Sequence, residues 1–170
     1  MEKVRINEII LDIVNVVKIS FKEGVSIETR LGDNIGGGRS GSIHDNNDNN
    51  KEVEIYADKS RATRAISYIV DNAKYTDSGA IRIESLVSVD NKRLEIQVTD
   101  SGNGIAKDIL PNLFGRFVTR TFGNENKRAT GLGVYIAKSI VYAHSGYNNK
   151  QAGRATITIV LPPHVNDENS

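Results

Sequence analysis

Apolar residues recur at helical spacing near the start of the chain: Ile6, Ile9, Ile10, Ile13 and Val17 share one face of a 3.6-residue period. Asn7 is the expected N-cap, with Ile6 and Leu11 placed to form a hydrophobic staple across it. Gly24 punctuates the end of this helix, and Val25 to Arg30 reads as a short strand. From Gly32 to Asn50 the chain is rich in Gly, Ser, Asn and Asp, with only two isoleucines. Such a stretch buries too little apolar surface to offset its ordering entropy, which predicts a loop.

Regular patterning resumes where Val53 and Ile55 alternate with Glu52 and Glu54, a half-buried strand. Asp58 is the expected cap of a second helix whose apolar face is Ala62, Ala65, Ile66, Ile69, Val70 and Ala73. Two alternating runs follow, Ile81, Ile83, Val87 and Val89, then Leu94, Ile96 and Val98. The turn residues Asp90, Asn91 and Lys92 between them predict an antiparallel hairpin. A third helix is expected from about Leu132 to Ala143, and a last strand carries Ala155, Ile157, Ile159 and Leu161 on one face before Pro162 and Pro163 stop it. These elements predict an α+β fold, a two-layer α/β sandwich in which a mixed, mostly antiparallel sheet carries its helices on one face.

Length and composition narrow the chemistry. At 170 residues the chain fits one domain with its own core, expected over residues 1–163 with a polar tail at 164–170. The formal net charge of +1 gives no bulk field for nucleic acid or an acidic membrane surface, so any anion must be bound by local groups. The absence of cysteine excludes disulfides, thiolate metal sites and a cysteine nucleophile. No apolar run approaches the length of a membrane span, so no direct membrane contact is expected of this segment.

Three short segments carry candidate chemistry. Asp100 to Ile105 (Asp-Ser-Gly-Asn-Gly-Ile) follows a strand directly. A carboxylate at a strand end can accept a hydrogen bond from an exocyclic amine, and glycines beside it let a flat ring approach the backbone. Taken alone, the segment reads equally well as a tight turn. Ala129 to Val134 (Ala-Thr-Gly-Leu-Gly-Val) opens the third helix, where unpaired N–H groups and the helix dipole favour phosphate. It is not a P-loop, because no Gly-Lys-Ser/Thr follows, nor a dinucleotide fingerprint, which needs a strand just before it and a third glycine. Asp71 to Thr76 (Asp-Asn-Ala-Lys-Tyr-Thr) closes the second helix. There the Asn72 amide can ligate a hard cation, Lys74 can reach phosphate, and the Tyr75 ring can pack on a base. Alone, that segment reads as a polar helix terminus.

Taken together and in this order, the segments resemble the histidine-kinase branch of the superfamily that also holds DNA gyrase, Hsp90 and MutL. Asp71 to Thr76 resembles its N box, Asp100 to Ile105 its G1 box, Leu113 to Phe117 its F box, and Thr130 to Gly133 its G2 box. The resemblance runs from the helix near Asn7 to the strand ending at Leu161. It implies the Bergerat ATP-binding fold, with ATP and Mg²⁺ as cofactors. Asn72 would hold Mg²⁺ bridging the phosphates, and Lys74 would neutralise phosphate charge, the two catalytic candidates. Asp100 would receive the adenine amine in a pocket shaped by Gly102, Gly104 and Ile105, with Tyr75 and Phe117 also lining the nucleotide site. Thr130, Gly131, Leu132 and Gly133 would meet the phosphates, and residues 115–129 would form a lid, with Arg116, Arg120, Lys127 and Arg128 in or beside it. The implied reaction is transfer of the γ-phosphoryl group to a histidine on a dimerisation domain outside this chain. The implied onward partner is a response regulator receiver domain, in the cytoplasm, with the parent protein either soluble or membrane-anchored.

The chain departs from the family pattern at several positions. Lys74 follows Ala73 directly where one more residue is usual, turning Lys74 and Tyr75 by about 100° if the helix continues. Tyr68 stands where kinases usually carry Asn and the hydrolysing relatives carry a water-activating Glu, and a phenol is a poor general base at neutral pH. Ala129 replaces the first glycine of the G2 box, and the segment between Gly146 and Gly153 looks shorter than usual. His44-Asp45 has the acceptor dipeptide but falls in the Gly/Asn-rich loop, while His144 ends a helix and His164 lies in the tail. These departures keep two other readings open: a degenerate kinase relative that binds or interacts without turnover, and an ATP-driven clamp.

Overall fold

The computed structural model describes residues 1–21, 24–32, 54–73, 79–88, 93–102, 107–118, 131–151 and 155–162. Strand β1 (Glu2–Arg5) leads without a break into helix α1 (Ile6–Ser20), and strand β2 (Ser26–Leu31) follows. Strand β3 (Glu54–Ala57) precedes helix α2 (Lys59–Ala73), and strands β4 (Ala80–Ser88) and β5 (Arg93–Asp100) come next. After a short 3₁₀ turn at Leu110–Asn112 come helix α3 (Gly133–Ala143) and strands β6 (Tyr147–Gln151) and β7 (Ala155–Leu161).

Five strands form one mixed sheet in the order β2-β4-β5-β7-β6, with β2 parallel to β4 and the remaining pairs antiparallel. The period of two sends Ile81 and Ile83 of β4, Leu94, Ile96 and Val98 of β5, and Ile157, Ile159 and Leu161 of β7 into the core. The six apolar residues predicted for α2 are its buried residues, and they join this cluster with α1 and α3. Fully burying each large aliphatic side chain contributes on the order of 1.5–3 kcal/mol, which makes this layer contact the main stabilising term. On β7, Thr156, Thr158 and Val160 on the opposite face are buried as well.

Two strands escaped the hydropathy pattern. Strand β1 pairs antiparallel with β3, Val4 opposite Ile55, in a separate two-stranded sheet. Strand β6 reads Tyr-Asn-Asn-Lys-Gln, which alternates no apolar residues, and forms only because β7 offers it an edge with Tyr147 opposite Val160.

Asn7 does not cap α1. The N-cap position is Arg5, without a side-chain cap hydrogen bond, because β1 runs straight into the helix. The Asn7 amide nitrogen instead donates to the Gly32 carbonyl at 3.3 Å, and its oxygen accepts from the buried Ser85 hydroxyl at 2.8 Å. Ser85 Oγ in turn accepts from the Gly32 N–H at 3.1 Å. The polar residue on the core face of β4 is thus satisfied within a ring joining α1, β4 and the end of β2. Gly32 is required there, since an added Cβ would lie 2.6 Å from the Ser85 carbonyl oxygen. The staple also fails, for Leu11 is 45% exposed while Ile6 is buried.

Asp58 does cap α2. Its Oδ1 accepts from the Arg61 N–H at 3.0 Å, and that bond holds the carboxyl below the usual carboxylate range. His144, just past α3, is buried and has both ring nitrogens engaged. Nδ1 lies 2.8 Å from the Ile140 carbonyl oxygen and Nε2 accepts from the Asp58 N–H at 3.1 Å. Those partners select the neutral tautomer protonated on Nδ1. One imidazole therefore ties the end of α3 to the beginning of α2. Beside it lies an apolar cavity of about 10 Å³ lined in part by Ala62, Ile66, Val141 and Leu161.

The Gly32 to Asn50 loop with His44, apart from Gly32 itself, lies outside the described residues, as do Val53, Val89, the hairpin turn at Asp90 to Lys92 and the tail from Pro163.

Candidate nucleotide site

Helices α2 and α3 run side by side so that the end of one meets the start of the other. His144 fixes the far end of this pair. At the near end a Cβ built on Gly133 would lie 3.2 Å from Cδ1 of Tyr68, closer than side chains normally sit. Glycine at that point lets the first turn of α3 rest directly on the Tyr68 ring. Asn72 follows one turn further along α2, in its last turn and partly exposed. Asn72 and Gly131 to Gly133, about sixty residues apart in sequence, are thereby brought to one end of a helix pair.

Gly131 has φ +65°, the left-handed region that glycine adopts at no steric cost, and Leu132 occupies the N-cap position of α3 without a side-chain cap. The first turn of an uncapped helix presents N–H groups that lack intrahelical partners. Its sequence supplies no acidic residue either. Both features favour an anion there.

Asp100 ends β5 on the same face as Leu94, Ile96 and Val98 and is only 4% exposed. Its Oδ1 accepts from the Gly102 N–H at 2.9 Å, so the carboxylate is oriented by the turn that follows it. Ser101 closes the same turn, its N–H bonded to the Ala80 carbonyl and its hydroxyl accepting from the Ala80 N–H.

The F-box segment folds as a tight turn. Gly115 donates to the Asn112 carbonyl at 2.7 Å, and Phe117 has φ +58°, a conformation unusual for a bulky residue. Phe117 is 70% exposed. Tyr68, in the place of the family's water-activating residue, has its hydroxyl held by Arg64 Nε at 3.2 Å. Sequence reasoning passed over Tyr135, on the first turn of α3, whose ring lies 4.9 Å from the Arg116 guanidinium. No periodicity signals such a contact, because its partner comes from a different segment. Lys74, Tyr75, Gly104, Ile105, Thr130 and most of the expected lid lie outside the described residues.

A sequence model of the histidine kinase-, DNA gyrase B- and HSP90-like ATPases matches residues 57–165. This chain belongs to that family. Among curated relatives, the sensor protein KdpD of Clostridium acetobutylicum is 36% identical over 115 residues, 65% of this chain. The chain spans only 13% of that relative's length. Among solved structures, the histidine kinase domain of the E. coli osmosensor EnvZ is 25% identical with a TM-score of 0.66, covering 100% of this chain and 93% of that one. Full-length ShkA in complex with AMPPNP has a TM-score of 0.72 at 20% identity, covering 96% of this chain and 31% of that protein. The family shares the mixed sheet and helix layer described above, and the expected α+β fold is the observed one. Among the described residues no helix is long and apolar enough to cross a membrane.

Proposed function

We propose that this domain binds ATP with Mg²⁺ and donates the γ-phosphoryl group to a histidine on a dimerisation domain, from which a response regulator receiver domain takes it. Residues 1–163 form the catalytic domain in this reading and 164–170 a tail. The observation that carries it is the Tyr68–Gly133 contact, which sets the Asn72 end of α2 beside the uncapped start of α3. Membership of the family and the likeness in fold to a protein solved in complex with AMPPNP support it.

The residues present fit such a ligand. Asp100, buried and oriented by Gly102, would accept a hydrogen bond from the adenine amine. The Gly131 to Gly133 turn would hold phosphate on its N–H groups, with Thr130 and Leu132 flanking it, and Lys74 would offset remaining charge. Asn72 would hold Mg²⁺ through its amide oxygen, and the ion would offset phosphate charge. In the reaction the bond from the γ-phosphorus to the β–γ bridging oxygen breaks as a phosphorus–nitrogen bond to the imidazole forms, and ADP leaves. The domain supplies positioning and charge stabilisation. Tyr68 is engaged by Gly133 and Arg64, which favours this transfer over a water-activating clamp.

Calorimetric titration with Mg·ADP tests binding, and labelled ATP with an added cognate dimerisation domain tests transfer. Micromolar binding that Asp100→Asn weakens by about tenfold or more, the worth of one charge-assisted hydrogen bond, is the expected result. A folded protein that binds no nucleotide overturns the proposal; binding without transfer leaves the module without turnover.

A further inference from the structure

We infer that Tyr135 is a positioning residue, holding the Arg116 guanidinium against the first turn of α3 so that this cation serves the phosphate end of the nucleotide site. The inference rests on the proposed nucleotide binding above and adds a residue to which no role has been assigned.

The Arg116 guanidinium carbon lies 4.9 Å from the Tyr135 ring centroid, inside the range of a cation–π contact. Tyr135 is the third residue of α3, two beyond Gly133, and so sits within the turn whose N–H groups would receive phosphate. The Arg116 guanidinium beside the Tyr135 phenol also draws that group below its ordinary range. The backbone around Arg116 is constrained on both sides. An added Cβ on Gly115 would lie 2.9 Å from the Asn112 carbonyl oxygen, and Phe117 is left-handed. The guanidinium therefore reaches α3 from a preformed turn.

The described partner of Arg116, like that of Arg64, is a tyrosine, whereas other arginines lie on carboxylates. Arg30 and Arg82 share Glu28, and Arg61 lies on Asp58. Arg116 has no carboxylate partner among the described residues; its described contact is a neutral aromatic. A tyrosine anchors the cation without cancelling it, so its field adds to the positive end of α3. A carboxylate in place of Tyr135 would anchor Arg116 equally well but remove the net charge that an anion would feel. The roles are distinct: Arg116 supplies charge and Tyr135 supplies direction.

The test is calorimetric titration of the wild type, Tyr135→Phe, Tyr135→Ala, Arg116→Ala and the double variant with Mg·ATP, Mg·ADP and adenosine, together with melting temperatures. Tyr135→Ala and Arg116→Ala should each weaken Mg·ATP binding about two- to fivefold, the worth of an exposed cation–π contact. The double variant should be no weaker than Arg116→Ala alone, because both remove one device. Tyr135→Phe should fall between wild type and Tyr135→Ala. Adenosine affinity should not change, since it carries no phosphate. An unchanged Mg·ATP affinity in Tyr135→Ala, an equal loss for adenosine, or fully additive effects would overturn the role and leave Tyr135 a structural contact. A wild type that binds no nucleotide at all would instead remove the functional reading on which the inference stands.

Discussion

Gly133 packs against the ring of Tyr68, where an added Cβ would lie 3.2 Å from Cδ1, and this contact joins two segments that the chain keeps about sixty residues apart. An alanine at 133 would need the ring to give by a few tenths of an ångström, while a branched residue would push the start of α3 off α2. Gly133→Val should therefore lower stability by roughly 1–3 kcal/mol, the usual cost of overpacking, and weaken Mg·ADP binding. Denaturant unfolding and calorimetry measure the two. Adding Tyr68→Ala should recover part of the stability, and a Gly133→Val protein as stable as wild type would contradict the contact.

The Asp58 cap predicts an acid-sensitive term. The Arg61 N–H lowers the folded-state pKa of Asp58 below its unfolded value of about 3.9. A depressed carboxyl stabilises the fold above the unfolded pKa, and that contribution disappears as pH falls through the folded value. Glu28, lowered mainly by the Arg82 hydrogen bond and then by Arg30, acts in the same direction. Wild-type stability, followed by urea unfolding from pH 6 down to about 2.5, should fall below about pH 4. Asp58→Asn should flatten that slope while keeping most of the cap, since asparagine also caps helices.

His144 accepts the Asp58 N–H through Nε2 from a buried position, so a side chain without an acceptor would strand that donor. His144→Leu should cost about 1–3 kcal/mol, the penalty of an unpaired buried polar group, read from urea unfolding. The change should also increase hydrogen-exchange rates in the first turn of α2. Equal stability of His144→Leu and wild type would show that the bond contributes nothing.

Phe117 holds a left-handed conformation while its ring faces solvent, so local backbone strain is not offset by burial. Asparagine tolerates that conformation better. Phe117→Asn should leave the melting temperature unchanged or raise it by a few degrees, corresponding to about 1 kcal/mol. A drop of several degrees would show that the ring makes stabilising contacts.

What the chain alone determined lies in its local periodicities. The α2 face from Ala62 to Ala73, the core positions of β4, β5 and β7, and the Asp58 cap were all legible, because burial on one face of a helix or strand imposes a repeat that sequence displays. The order of the motifs likewise pointed to the family. Tertiary structure decided what no repeat encodes. Strand β6 exists only because β7 presents an open edge, and β1 only because β3 does. Asn7 left its capping role once β1 ran directly into α1 and the buried Ser85 needed a partner. The Gly133–Tyr68 contact, the His144 tie and the Arg116–Tyr135 pair each join residues that are distant in sequence and have no local signature. Such pairs form only after the helices have packed, when geometry selects which polar and aromatic groups come within reach of one another.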